Sequence, residues 1–311
     1  MSTPSAGEVL ERWIGLINAR DYDALPTILT EDYINDWPQS GERIRGWRNL
    51  KATFENYPGG LQEGNVLASR VVAPEDRWLM TPTFTIVRVT GTQDVCTAVI
   101  KTRYPDGSDW YVVVLADVRE GRIRKASTYF APCFPAPEWR AQWVEPIGAG
   151  TSDLVRGPAR TTTSARDIIE VYVAAINDHD FERIGTLLAD DYVDDMPQSG
   201  ERIRGRDNII ASLRNYPGGL ESSQIDRSSA RLIGDEDRWV MTPSFTVVRV
   251  TGSGDTFTGV LKSRYPDGSD WYGVTILEFS GSKIGKATTF YAPCFPAPEW
   301  RAQWVEAIPA G

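Results

Sequence analysis

The fifteen residues Ala131–Glu145 read APCFPAPEWRAQWVE, and Ala292–Glu306 repeat them letter for letter. Chance does not produce identity of that length, so the chain carries two copies of one unit and any fold assigned to it must be drawn twice. Other shared blocks set the register. QSGERIRG at Gln39–Gly46 recurs at Gln198–Gly205, and NYPGGL at Asn56–Leu61 recurs at Asn215–Leu220, both 159 positions on. Two extra residues then enter the second copy, and EDRW, RVTG and RYPDGSDWY recur 161 positions on. The period is that of one ordinary domain, about 150 residues. The expected division is a first domain over 1–147, a polar linker over 148–163 and a second domain over 164–311.

Within a copy the pattern changes from helical to extended. Val9, Leu10, Trp13, Ile14, Leu16 and Ile17 recur at helical spacing after a disordered-looking Met1–Gly7, and Ile168, Ile169, Tyr172, Val173 and Ile176 answer them. Asp21 and Asp180 read as N-caps of a second helix that includes Leu25, Ile28 and Leu29 in the first copy. A short extended piece, Tyr33–Trp37, then the loop PQSGERIRG, precede a third helix over Trp47–Tyr57. Arg77–Thr90, Val95–Tyr104, Trp110–Val118 and Ile123–Phe130 read as an antiparallel meander. The repeated tail is Pro-rich and then turns into a short amphipathic helix with Trp139 and Trp143 on one face. Helices followed by a meander make an α+β fold. Apolar residues on both strand faces call for helices on one side and a second sheet on the other, so the copies are expected to pair as an intramolecular pseudo-dimer.

The phrase WIGLINARDYDALPTILTEDYINDWPQSGERIRG, with the order of elements, resembles the SnoaL-like branch of the nuclear transport factor 2-like superfamily. That resemblance covers each copy nearly end to end and implies two tandem cone-shaped α+β barrels. The superfamily includes ketosteroid isomerase, polyketide cyclases, limonene epoxide hydrolase, polyether epoxide hydrolases and non-catalytic binders, so the fold does not name the chemistry. By likeness to ketosteroid isomerase, the Tyr of the first helix falls on Tyr172 and on Trp13. Its Asp after the second helix falls on Asp195 and Asp36, while the late-strand acid is missing. By likeness to the polyether epoxide hydrolases, an Asp/Glu pair falls on Asp36 with Glu63, and on Asp195 (or Asp194) with Glu221.

Asp36 and Asp195 are the leading catalytic candidates, because a carboxylate at the rim of an apolar cone has its pKa raised and can move a proton. The competing reading is an Asp that bonds the PQSG turn. Glu63 and Glu221 are weaker partners, since acids on loops are usually solvated. Trp13 and Tyr172, Tyr57 and Tyr216, Trp78 and Trp239, and Trp110 and Trp271 are candidates to line a pocket, against plain core packing. Lys101/Lys262 and Arg103/Arg264 read as a charged sheet edge.

His179 is the chain's single His and aligns with Arg20, which rules out a His-based triad shared by the copies. No metal or cofactor motif occurs, so no cofactor is expected. Net charge is −9 with pI near 4.9, which disfavours nucleic acid and anionic membrane as partners. Three Cys without CxxC, and no signal-like or membrane-length apolar run, point to a cytoplasmic protein. The expectation is a cofactor-independent acid/base enzyme, an isomerase, cyclase or epoxide hydrolase, acting on a small apolar metabolite. The alternatives are a non-catalytic hydrophobic-ligand binder and a structural interaction module. Further oligomerisation is left open.

Overall fold

The structure, a computed structural model, describes residues 3–58, 79–80, 85–91, 94–103, 107–147, 165–216, 240–241, 245–253, 256–264 and 269–309. The first copy runs α1 (Ala6–Asn18), a 3₁₀ turn (Tyr22–Thr27), β1 (Leu29–Trp37), β2 (Glu42–Arg45), α2 (Trp47–Glu55), β3 (Leu79–Met80), β4 (Thr85–Gly91), β5 (Val95–Arg103), β6 (Asp109–Arg119), β7 (Arg122–Pro132), a 3₁₀ turn (Glu138–Trp143) and β8 (Val144–Pro146). The second copy runs α3 (Ala165–Asn177), α4 (Phe181–Leu187), β9 (Leu188–Met196), β10 (Glu201–Arg204), α5 (Arg206–Arg214), β11 (Val240–Met241), β12 (Phe245–Ser253), β13 (Thr256–Arg264), β14 (Asp270–Ser280), β15 (Lys283–Pro293), a 3₁₀ turn (Glu299–Trp304) and β16 (Val305–Ala307).

The chain forms two compact units, and they do not follow chain order. Unit 1 comprises residues 1–132 with 294–310, and unit 2 comprises 133–293 with 311. The tail of each copy therefore belongs to the body of the other. In unit 1, β16 lies antiparallel to β2, with Val305 opposite Ile44 and Glu306 opposite Arg43. In unit 2, β8 lies against β10 in the same register, Val144 opposite Ile203 and Glu145 opposite Arg202. The expected boundaries at 147 and 164 thus separate the copies in sequence but not the packed bodies.

Each unit holds one sheet, ordered β16-β2-β1-β7-β6-β5-β4-β3 in unit 1 and β8-β10-β9-β15-β14-β13-β12-β11 in unit 2. Only β1–β7 and β9–β15 pair in parallel; the other neighbours are antiparallel. Among the described residues each sheet ends on a tail strand at one edge and a two-residue strand at the other, so the expected tandem α+β domains are present, each as helices on an open sheet.

The helices cover one face of each sheet. The apolar stripe of α1 is buried as its spacing predicts, with Val9, Leu10, Trp13, Ile14 and Ile17 in the core. The helix starts earlier than the sequence suggests, because Ser5 and Glu8 form a capping box that satisfies its free N–H groups. The expected second helix of the first copy shortens to a 3₁₀ turn containing Pro26, and Leu29 already begins a strand. QSGERIRG is not a loop. It is a hairpin whose turn places Gly41 at φ 69° and Gly200 at φ 70°, backbone that favours glycine. The tail's amphipathic helix is likewise a 3₁₀ turn followed by an edge strand.

Candidate active site

The hairpin β9–β10 decides which acid faces the interior. Successive strand residues point to opposite faces. Tyr192 and Met196 join the core under α3, and Asp194 lies between them on that face. Asp195 points the other way. There its carboxylate receives Arg202 Nε at 2.6 Å and Nη2 at 3.0 Å, with Lys286 Nζ at 3.3 Å. Arg202 sits directly across the hairpin from Asp195. Asp36 repeats the arrangement, with Arg43 at 2.6 and 2.9 Å and Lys125 at 3.8 Å. The two leading candidates are therefore ion-paired. Both are held in two-cation clusters on the face of the sheet away from the helices. A one-residue step between neighbours on the strand separates the expected acid from the one that faces inward.

Around Asp194 the second copy assembles hydroxyl groups. Thr289 on β15 donates to Asp194 Oδ1 at 3.4 Å, and Thr275 on β14 donates to Thr289 at 3.3 Å. The Tyr192 hydroxyl stands beside the same carboxyl, and the hydroxyls of Tyr172 and Tyr192 stand beside each other. Tyr291 lies within electrostatic reach. Its backbone is clamped at both ends by Gln198, which donates from Nε2 to the carbonyl at 2.8 Å and accepts the N–H at 2.5 Å.

Burial pushes the Asp194 carboxyl up to about 7, helped by the charge of Asp195, while the Thr289 bond, the Tyr192 hydroxyl and the charge of Arg140 pull the other way. Desolvation, then the neighbouring Asp194, raise the hydroxyls of Tyr172, Tyr192 and Tyr291 as well, so all three stay protonated near neutrality. Yet Asp194, Tyr172, Tyr291 and Thr275 are only half-buried. Each keeps part of its surface in accessible space.

Unit 1 has the same backbone and different contents. Across the sheets, in register, unit 2 places Gly259, Thr275, Thr289 and Asp194 where unit 1 places Ala98, Val114, Thr128 and Asn35. The next row is Leu261, Gly273 and Tyr291 against Ile100, Val112 and Phe130. Trp13 replaces Tyr172. Trp13, Asn35 and Val114 are 5 %, 2 % and 1 % exposed. The indole N–H of Trp13 is buried with no hydrogen-bond partner among the described residues. Thr128 still donates at 3.0 Å, but to the neutral amide oxygen of Asn35. The row is sealed and carries no acid.

The other candidates fall elsewhere. Tyr216 meets Trp139 edge-on at 5.2 Å, and Tyr57 meets Trp300 at 5.4 Å, so both pack on the exchanged tails. Trp110 and Trp271 bond Ser108 and Ser269 at 2.8 and 2.9 Å, beside their turns. Glu63, Glu221, Trp78 and Trp239 lie outside the described residues. Arg103 pairs with Asp109 at 2.6 Å, as a charged edge would. Among the described residues, no group of three His, Cys, Asp or Glu side chains is placed to hold a metal. Nor is any described helix long and apolar enough to cross a membrane.

Comparison with known proteins follows the duplication. The SnoaL-like domain matches the chain twice, over residues 10–126 and 169–284. The chain belongs to the SnoaL-like domain family. Among solved structures it resembles an NTF-2 like protein of unknown function from Burkholderia xenovorans LB400, at 30 % identity over 45 % of this chain and 92 % of that one, TM-score 0.35. It also resembles a candidate ketosteroid isomerase from Kribbella flavida DSM 17836, at 24 % identity over 47 % and 90 %, TM-score 0.35. An LEH-like epoxide hydrolase of M. tuberculosis matches at 18 % identity over 40 % of this chain and 81 % of that one, TM-score 0.29. No curated protein matches the chain. The choice of chemistry rests on this chain's own residues.

Proposed function

We propose that unit 2 is a cofactor-independent acid/base centre for a small, largely apolar metabolite bearing a carbonyl or epoxide oxygen, with Asp194 as the group that moves the proton. The observation that carries this reading is a half-buried carboxyl bonded by the Thr289 hydroxyl, which Thr275 bonds in turn, with tyrosine hydroxyls beside it; burial pushes that carboxyl up to about 7. Above its midpoint Asp194 can take a proton from carbon next to a carbonyl, while a tyrosine hydroxyl hydrogen-bonds the oxygen that gains charge. Returning that proton to another carbon completes an isomerisation. Below its midpoint the same carboxyl can donate its proton to an epoxide oxygen as water adds to the ring carbon and the C–O bond breaks, the proton lost by that water returning to the carboxylate.

The test is turnover of β,γ-unsaturated ketones and small epoxides by the wild-type chain and by Asp194→Asn. The variant is expected to lose about 10²- to 10⁴-fold in kcat/KM while still binding ketone. A base gives activity that rises with pH through about 7, the value to which Asp194 is pushed; an acid gives the reverse. Full turnover in Asp194→Asn removes the proposal. Ligand binding with no turnover, unchanged from pH 5 to 9, makes the chain a carrier.

A further inference from the structure

Among the described residues the groups that act on Asp194 come from the second copy with one exception, and that exception is charged. Arg140 is carried by the first copy's tail, after Pro132, and packs within unit 2. It is 8 % exposed. Its guanidinium grips Glu201 of β10, with Nε at 3.2 and 3.1 Å from the two carboxylate oxygens and Nη2 at 2.5 Å from one of them, and reaches Ser199 at 3.2 Å. Glu201 stands directly across from Met196, so it shares a sheet face with Met196 and, one side chain further along that face, with Asp194. The same tail holds the clamp on Tyr291: Phe134 N–H donates at 3.1 Å to the carbonyl of Gln198, whose side chain grips the Tyr291 backbone. Trp139 packs on Tyr216, whose hydroxyl acts in turn on Tyr291.

We propose that Arg140 is a positioning residue for Asp194: anchored on Glu201, it supplies, among the described residues, the one cationic field on the acid's own sheet face, so the first copy completes a site that it does not itself possess. This rests on the reading of Asp194 as the titrating group. Among the described residues the groups that act on Asp194 are Tyr192 and Asp195 of its own strand, Tyr172 of α3, Thr289 and Tyr291 of β15, and Arg140 of the tail. The Asp195 charge is countered on the far face by Arg202 and Lys286. Unit 1 supplies the control. Arg301 grips Glu42 at 3.0 and 3.1 Å and reaches Ser40 at 3.3 Å, the same bonds in the same register, but beside the neutral Asn35. Both arginines hold a tail; only Arg140 has an acid on which its charge can act.

The experiment follows the carboxyl signal of Asp194 by NMR in the full-length chain labelled with ¹³C aspartate, assigned by its loss in Asp194→Asn. Arg140→Gln is expected to raise the Asp194 midpoint by about one pH unit, and Arg301→Gln to leave it in place while lowering the melting temperature comparably. Arg140→Lys, which keeps the charge and loses the fork, is expected to hold the midpoint near the wild-type value. If Arg140→Gln does not fold, Arg140→Gln combined with Glu201→Gln keeps a hydrogen-bonded couple with no buried charge, and the midpoint is still expected to rise. An unmoved midpoint in the folded variant overturns the proposal, as does an equal shift in Arg301→Gln or Arg140→Lys. Turnover of Asp194→Asn decides the enzymatic reading separately, because this titration requires no substrate.

Discussion

Units 1 and 2 share backbone, register, hairpin, buried ion clusters and tail, and differ in what the rows beside α1 and α3 contain. Where unit 1 has Trp13, Asn35, Val112, Val114 and Phe130, unit 2 has Tyr172, Asp194, Gly273, Thr275 and Tyr291. Each change toward unit 2 removes volume, adds a hydroxyl or adds a charge. Features common to both copies are those the fold needs, since both must stay folded. Features that differ mark what one copy has been released from or the other has kept. By that rule the ion pairs of Asp36 and Asp195 are features both folds share, and Asp194 is the acid on which the proposed chemistry rests.

The comparison breaks most decisively at Asp194. Converting it to Asn gives unit 2 the residue that unit 1 already has, and the expected loss of about 10²- to 10⁴-fold in kcat/KM should come without loss of fold by circular dichroism. The next effect in size concerns the shared feature. Asp195→Ala leaves Arg202, 3 % exposed at its side chain, without its bidentate partner. Breaking a buried pair from one side costs about 3–5 kcal/mol. Asp36→Ala should cost less, because the Arg43 side chain is 15 % exposed. Urea unfolding of the two variants measures both.

Stability against pH separates the units further. Asp194 has a folded pKa raised above its unfolded value, so the folded chain binds the extra proton between about 4 and about 7 and loses stability as pH rises through that window. Asp194→Asn removes the penalty and should be more stable than wild type at pH 8, by about 1–3 kcal/mol, with the gap closing toward pH 4. Thermal melts at the two pH values check the sign; a gap independent of pH refutes it. Last, Tyr172→Trp with Gly273→Val rebuilds the sealed row of unit 1 in unit 2. Ketone affinity should fall at least about tenfold, read by calorimetry, with little change in melting temperature.

Much of the fold was legible because duplication doubled every signal. The stripe Val9, Leu10, Trp13, Ile14 and Ile17 and the strand runs after Val95 stand where their periodicity puts them. What stayed hidden depended on pairing across distance. QSGERIRG reads as a loop until its strands are laid together; then Arg202 faces Asp195 and the acid doublet resolves into one structural and one interior carboxylate. The Asn35-to-Asp194 difference was visible in the aligned copies, but a search for chemistry common to both copies passes over a group present in one. The destination of the tails had no local signal at all: an amphipathic segment with two Trp announces that it will be buried, not against which copy.

That crossing of tails binds the gene as well as the protein. A half-length product ending near residue 147 would leave the free edge of β2 uncovered, and the only strand shaped for it would be carried by another molecule. Such a product is expected to swap tails with a sibling, which suggests an ancestor that worked as an entwined homodimer. Fusion would let the two halves diverge, as Asn35 and Asp194 have, while each still supplies the strand that covers the other's edge.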